Sequence, residues 1–185
     1  MIVGYRRLFL CVEGGDDDRF FKNVIAPTYQ QDYDLVQVTP YRNWGRRKVD
    51  AFLASVKAMN ADYIFVADIN SAPCVTARKE EIQALYRNAD EDRIVVVVRE
   101  IEGWYLAGLD ASNCRRLGLR PLRNTDDITK EDFGRLMPSR YDSRIDFMAE
   151  ILGCFATAIA KRKNRSFRYL AAKYSCPMSA DNCPQ

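Results

Sequence analysis

Leu8 to Phe21, LFLCVEGGDDDRFF, is the stretch whose reading decides the fold. Five apolar residues, Leu8 to Val12, end abruptly in Glu13. Gly14 and Gly15 follow, then three aspartates and the apolar pair Phe20-Phe21. An apolar run of this length, closed by glycines and restarting as an acid-led helix, predicts a buried strand, a tight turn and a helix start. Asp16 to Asp18 then occupy the first helical turn, where carboxylates complement the dipole. Glu13 falls at the carboxyl end of the strand, where open parallel α/β sheets place their ligands.

The unit repeats outward from there. Phe20, Phe21, Val24 and Ile25 make the apolar face of the first helix, and Pro27 ends or kinks it. Leu35 to Thr39 reads as a second strand. Val49, Phe52, Leu53, Val56 and Met59 recur at helical spacing, predicting a helix from about 46 to 60. Tyr63 to Ala67 is a third strand, ending in Asp68-Ile69-Asn70. Pro73 and Thr76 open a third helix with Ile82, Leu85 and Tyr86 inward, and Ile94 to Val98 is a fourth strand. Alternation of this kind predicts an α/β fold with a parallel four-stranded sheet and flanking helices. The strands are near-continuous apolar runs, as expected when both faces of a sheet are covered.

Beyond Glu100 the pattern changes. Ile101 to Leu109 reads as a short apolar helix, and residues from about 110 to 142 read as loop-rich. Ser143 predicts a helix cap, with Asp146 three residues on. Met148, Ile151, Leu152, Phe155 and Ile159 form the stripe of one helix running into Lys161 to Arg165. A last short helix runs from Ser166 through Tyr174, followed by a frayed tail, SCPMSADNCPQ. The expected organisation is an α/β core over residues 1–110 and a loop-rich, helical C-terminal extension over 111–185 packed on it.

Composition narrows the chemistry. The 185 residues are 48% hydrophobic and 29% charged, a balance that buries a sizeable core in one domain. No apolar run approaches the roughly 20 residues needed to span a bilayer. The N-terminus, MIVGYRRLFL, lacks the long apolar region and cleavage site of a signal peptide. The six cysteines are scattered with no CxxC pair, and Cys11 and Cys154 lie in apolar segments. A reduced, cytoplasmic protein without a membrane partner is expected. Histidine is absent, which excludes the commonest general base and the Ser-His and Cys-His nucleophile pairs. Catalysis here has to rest on carboxylates, lysine, tyrosine or metal. The net charge of +3 is too small to indicate a polyanion partner by itself.

The distribution of charge says more. Glu13, Asp68 and Glu100 end three of the four expected strands, with Glu102 two residues further on. Acids also end strands simply because loops are polar; here three ends coincide, with Gly-Gly behind the first. All carboxyl ends of a parallel sheet lie along one edge, so these side chains can converge. Clustered carboxylates oppose one another's ionisation unless a cation compensates. Hard oxygen donors without histidine or thiolate suit magnesium or manganese. Asp16 and Asp18 read as helix-start residues; Asp17, four residues after Glu13, can turn back to the edge.

In this order, the motifs resemble a known family. Glu13-Gly14 after the first strand resembles the first motif of the TOPRIM domain of topoisomerases, primases and nucleases of the overcoming-lysogenisation-defect type. Asp68-Ile69-Asn70 resembles its Asp-x-Asp motif. Glu102-Gly103-Trp104-Tyr105-Leu106-Ala107 looks like the Glu-x-Trp-x-Leu-Ala stretch of small stand-alone TOPRIM proteins, often encoded beside an ATPase in phage-defence loci. The likeness covers about residues 5–110, with a weaker one in the C-terminal helix and basic segment. It implies a TOPRIM-like Rossmannoid sheet and magnesium-dependent phosphodiester chemistry on DNA or RNA, with an ATPase partner. Glu13 takes the acid-base or ligand role and Asp68 a metal role. The sequence departs at Asn70, whose amide oxygen can meet a metal without charge; Glu100 or Glu102 can supply what is missing. The expected catalytic set is Glu13, Asp68, Glu100 and Glu102. The expected Mg2+ or Mn2+ ligands are Glu13, Asp17, Asp68, Asn70 and Glu100.

Two basic segments accompany the acids. Arg42, Trp44, Arg46, Arg47 and Lys48 follow the second strand and interleave bases with aromatics. Lys161, Arg162, Lys163, Arg165 and Arg168 form the other, beside Phe167 and Tyr169. Arginine reaches phosphates and aromatics stack on unpaired bases. The alternatives are a solvated loop with Trp44 packed on the core, and cations complementing a helix C-terminus. Three functions remain: a metal-dependent nuclease, a catalytically impaired module binding nucleic acid or a protein, and a small-molecule phosphotransferase. The last lacks any GxxxxGK[ST] or GxGxxG pattern.

Overall fold

The fold is that of a computed structural model describing residues 5–174. The tail and its Cys176 and Cys183, like residues 1–4 of the N-terminus, lie outside the described residues. Strands β1 (Arg7–Val12), β2 (Leu35–Pro40), β3 (Asp62–Asp68) and β4 (Ile94–Val97) form one all-parallel sheet in the order β2-β1-β3-β4. Helix α1 (Gly15–Phe20) follows β1, α2 (Arg46–Ala58) follows β2, and α3 (Val75–Leu85) follows β3. The expected α/β architecture with flanking helices is present.

Both sheet faces are apolar, and alternation along each strand sorts the residues. Leu8, Leu10, Val12, Ile64, Val66, Val95 and Val97 enter one core; Phe9, Cys11, Tyr63, Phe65, Ala67, Ile94 and Val96 enter the other. Helices α2 and α3 cover the second core through Val49, Leu53, Val56 and Ile82. Burial leaves the Cys11 thiol pushed up to about 12, a packing group without nucleophilic character at neutral pH.

The first helix changes character as it goes. After Phe20 the chain widens into a π-helical turn, Phe21–Ile25, and tightens to 3-10 geometry over Ala26–Tyr29. Pro27 sits at the start of that last segment, where a missing N–H costs nothing.

The C-terminal half adds detail and one departure. The loop-rich stretch 110–142 also holds α5 (Ala111–Arg116), capped by Asp110, and α6 (Lys130–Leu136), capped by Thr129 with Asp132. Each is about two turns or less, too short for a legible apolar stripe. The expected long helix after Ser143 is broken into α7 (Arg144–Leu152) and α8 (Thr157–Lys163). The break at Gly153 to Ala156 folds Phe155 against Gly108, and Ala156 N–H donates to the Gly108 carbonyl at 3.0 Å. A tertiary contact thus overrides a continuous helical stripe. Helix α9 (Arg165–Lys173) is capped by Asn164, two residues before the expected start at Ser166.

Helix α4 (Ile101–Ala107) joins the halves and is buried on every side. Its Trp104 and Tyr105 pack with Phe20, Phe155 and Phe167 in one aromatic group. Residues 5–110 and 111–174 therefore share a core. A polar thread runs through it: Trp104 Nε1–H donates to Ser166 Oγ (2.8 Å), Ser166 donates to Asn164 Oδ1 (2.9 Å), and Asn164 Nδ2 donates to the Thr125 carbonyl (3.2 Å). Gly103 lets that carbonyl come close, since a Cβ there would lie 2.7 Å from Thr125 O. Gly103→Ala therefore trades a gain in helix propensity for a steric clash with backbone. We expect a net destabilisation of about 1–2 kcal/mol, read as a lower urea midpoint at unchanged slope.

Candidate functional site

The carboxyl edge of the sheet collects the acids. The register that pairs Cys11 with Phe65 carries Glu13 alongside the end of β3. There the Asp68 backbone N–H donates to Glu13 Oε1 at 3.2 Å. Gly14 is buried in the turn, and its N–H donates to Asp17 Oδ2 at 3.2 Å, so α1 opens with Asp17 folded back toward the strand end. Glu102, in the first turn of α4, is buried beneath.

Burial and mutual repulsion show in the ionisation of this group. The Asp68 carboxyl is pushed up to about 8, first by burial and then by Asp17, Glu13, Glu102 and Glu100. Asp17 is pushed up to about 7 by burial, against the Gly14 hydrogen bond, with Glu13 and Glu102 adding to the rise. Glu102 is also raised, burial outweighing Arg144. Asp68 Oδ1 is buried with no hydrogen-bond partner among the described residues. An orphaned carboxylate oxygen among other carboxylates is a position that a cation would satisfy.

Two arginines absent from the sequence expectation temper the charge. Arg78, on α3, donates through Nε to the Asp68 carbonyl (2.8 Å) and lies 3.7 Å from Glu13 Oε1. Arg144, the first residue of α7, pairs with both Asp16 and Glu102. No spacing rule links positions 42 or 128 residues apart, so only a hint was available: a lone arginine just inside a cap. Arg42 lies over the turn, its Nη1 3.6 Å from where a Gly14 Cβ would sit.

The remaining expected residues are placed as follows. Glu100 is half-buried and accepts from the N–H of Lys130, at the start of α6. Asn70 is exposed in the turn after β3 with φ of 50°, a left-handed conformation that asparagine and aspartate tolerate best among non-glycine residues. Trp44 packs edge-on against Phe52 with Lys48 over its ring at 4.3 Å. Arg46 is committed to the last carbonyls of α3, Leu85 O at 2.5 Å and Ala84 O at 2.7 Å. Lys163 donates to the Leu109 carbonyl, and Arg165 pairs with buried Asp126 at 2.8 Å. Arg42, Arg47, Lys161, Arg162 and Arg168 are exposed.

Among the described residues, no three acid or cysteine side chains stand together as a ready cage for an ion. Magnesium does not require one, since it keeps several waters and takes one or two carboxylates. Asp68 offers the one orphaned carboxylate oxygen of this group to such an ion, and Asp17 and Glu13 are the acids whose charge it feels most.

Two outcomes follow from this electrostatics. Asp68 and Asp17 ionise near pH 4 when unfolded but near 8 and 7 when folded, so their contribution to stability is full below pH 4 and is lost as pH rises toward 8. In EDTA, Asp68→Asn should flatten that decline and stabilise the fold by roughly 2 kcal/mol at pH 9, read by thermal melts across pH. Arg144→Ala leaves buried Glu102 unpaired and should cost about 2–4 kcal/mol, with Glu102→Gln in the same chain recovering part of it in urea titrations.

Comparison with protein-family models, with curated proteins and with solved structures finds no match for the chain.

Proposed function

We propose that this chain is a metal-dependent phosphodiesterase acting on DNA or RNA, a nuclease of TOPRIM type. The observation that carries the reading is Asp68 Oδ1, buried and unpartnered among the described residues where four other carboxylates raise its pKa. The order of the three motifs along the chain supports the same assignment. So does exposed Arg42 over the Gly14 turn. Action in phage defence beside an ATPase partner belongs to the same reading. Among the described residues no helix is long and apolar enough to cross a membrane, and a cytoplasmic setting agrees with that.

Asp68 would anchor a Mg2+ or Mn2+ ion, with Asp17 and Glu13 completing the protein's share of its oxygens. A bound ion of this kind polarises a phosphoryl oxygen and lowers the pKa of water. Among the described residues, the Glu13 side chain accepts one long hydrogen bond and has an arginine at 3.7 Å. Its carboxylate is therefore available to take or return a proton. Arg78 fixes the Asp68 carbonyl and sets its guanidinium beside Glu13. Arg42, over the Gly14 turn, is placed to meet a phosphate oxygen. Glu102, locked to Arg144, orients the edge from beneath rather than touching substrate.

A second reading has its own support. Asn70 is exposed and uncharged, and Glu100 is turned to α6. An edge so depleted of free charge suits a module that binds nucleic acid or a protein without cutting.

Plasmid, single-stranded DNA and tRNA incubated with magnesium, manganese or EDTA separate the two. Cleavage that needs the metal and falls about a hundredfold or more in Glu13→Gln is the expected result. Salt-sensitive binding with no product under any metal would sink the nuclease reading in favour of the second.

A further inference from the structure

A cleft of about 670 Å³ opens immediately beside the acidic edge. Its apolar walls are Ile69, the residue after Asp68, with Pro73 and Val75 at the start of α3 and Val96 and Val98 at the end of β4. Tyr169 of α9 closes the far side and is 45% exposed; Val75 is 37% exposed. Large apolar side chains left open at the mouth of a cleft are unusual unless something covers them.

The rim is basic. Arg165, Arg168, Tyr169 and Lys173 share the outward stripe of α9 by their spacing of three and four residues. Arg165 spends its Nε on Asp126, yet its side chain is 77% exposed, so the rest of its guanidinium faces solvent. Lys173 Nζ lies 5.6 Å from the Tyr169 ring. The cleft thus has an apolar and aromatic interior, the Arg165–Asp126 pair at its border with the exposed Arg168 beyond it on α9, and an acidic end one residue away at Asp68.

We infer that this cleft takes one unpaired nucleobase, stacked on Tyr169, of a single-stranded or locally unpaired nucleic acid whose backbone lies along α9. The inference rests on the nuclease reading and narrows it to substrate form. A free base has an apolar face that suits Ile69, Val75 and Tyr169, while its phosphates meet Arg165 and Arg168. A paired base cannot enter, because its face is stacked and its edge is bonded. Seating a base here brings its own phosphodiester toward Asp68 and Glu13. An acidic or purely apolar peptide would leave either the walls or the basic rim without a partner.

The test is fluorescence anisotropy with a labelled oligonucleotide of roughly a dozen nucleotides, single-stranded and as a blunt duplex, in EDTA and again in calcium. Wild type should prefer the single strand. Tyr169→Ala should weaken single-strand binding about tenfold, Tyr169→Phe should stay within about twofold of wild type, and duplex binding should be unmoved by either. Val75→Asp, which sets a carboxylate inside the cleft, should weaken single-strand binding at least as much as Tyr169→Ala. Both positions are exposed, so folding is not at issue. Single-strand binding indifferent to Tyr169→Ala and Val75→Asp overturns the inference and leaves the nuclease reading standing. Equal wild-type affinity for single strand and duplex overturns it too. A wild-type protein that binds neither form overturns both.

Discussion

Burying helix α4 on all sides is the constraint on which the rest of the molecule depends. A helix with no solvent face must find partners for every polar group it carries. Ile101 to Ala107 does so by recruiting the C-terminal helices: Ser166 for the Trp104 indole, Arg144 for Glu102, and the close Thr125 carbonyl at Gly103. Tyr105 donates its hydroxyl to the Asp16 carbonyl at 2.8 Å, tying α4 to the start of α1. The C-terminal third is therefore not an appendage. It supplies the groups without which the centre of the fold would hold an unpaired carboxylate and an unpaired indole.

That same burial sets the electrostatics of the edge. Glu102 contributes negative charge to the edge, and its own countercharge, Arg144, is shared with Asp16. Asp17 and Asp68 are held back from ionising first by their own burial and then by the neighbouring carboxylates, Glu102 among them. Whether these carboxyls carry protons or a cation is decided by the same burial and charge. Proton and cation compete for one position, as they do wherever hard ligands must be deprotonated to bind.

How much of this was legible in the sequence depends on the range of the interaction. The strands and the first three helices were readable because their signals are local: apolar runs, glycine after Glu13, and helical spacing from Val49 to Met59. That Glu13 and Asp68 meet followed from topology, since a parallel sheet places its carboxyl ends together; that Glu100 turns to α6 while Glu102 is buried beneath the edge did not. Strand order was not readable, because nothing in a strand's own sequence says which neighbour it pairs with. The break between α7 and α8 was missed because Phe155 fits the helical stripe, and only its fit against Gly108 removes it. Arg144 and Arg78 were missed for the same reason: their partners lie far away in sequence. Arg46 had the right composition for a phosphate contact, and its commitment to Ala84 and Leu85 is a tertiary fact.

The left-handed turn at Asn70 separates two kinds of selection. Asparagine and aspartate are nearly equally at ease at φ of 50°, and the side chain is exposed, so exchanging one for the other leaves the scaffold almost indifferent. The charge of the edge can then change by one unit through replacement of a single amide by a carboxylate, unopposed by any need to keep the protein folded. The fold is therefore compatible with a fully acidic and with a partly neutral edge. What holds either form in place is the use to which the edge is put.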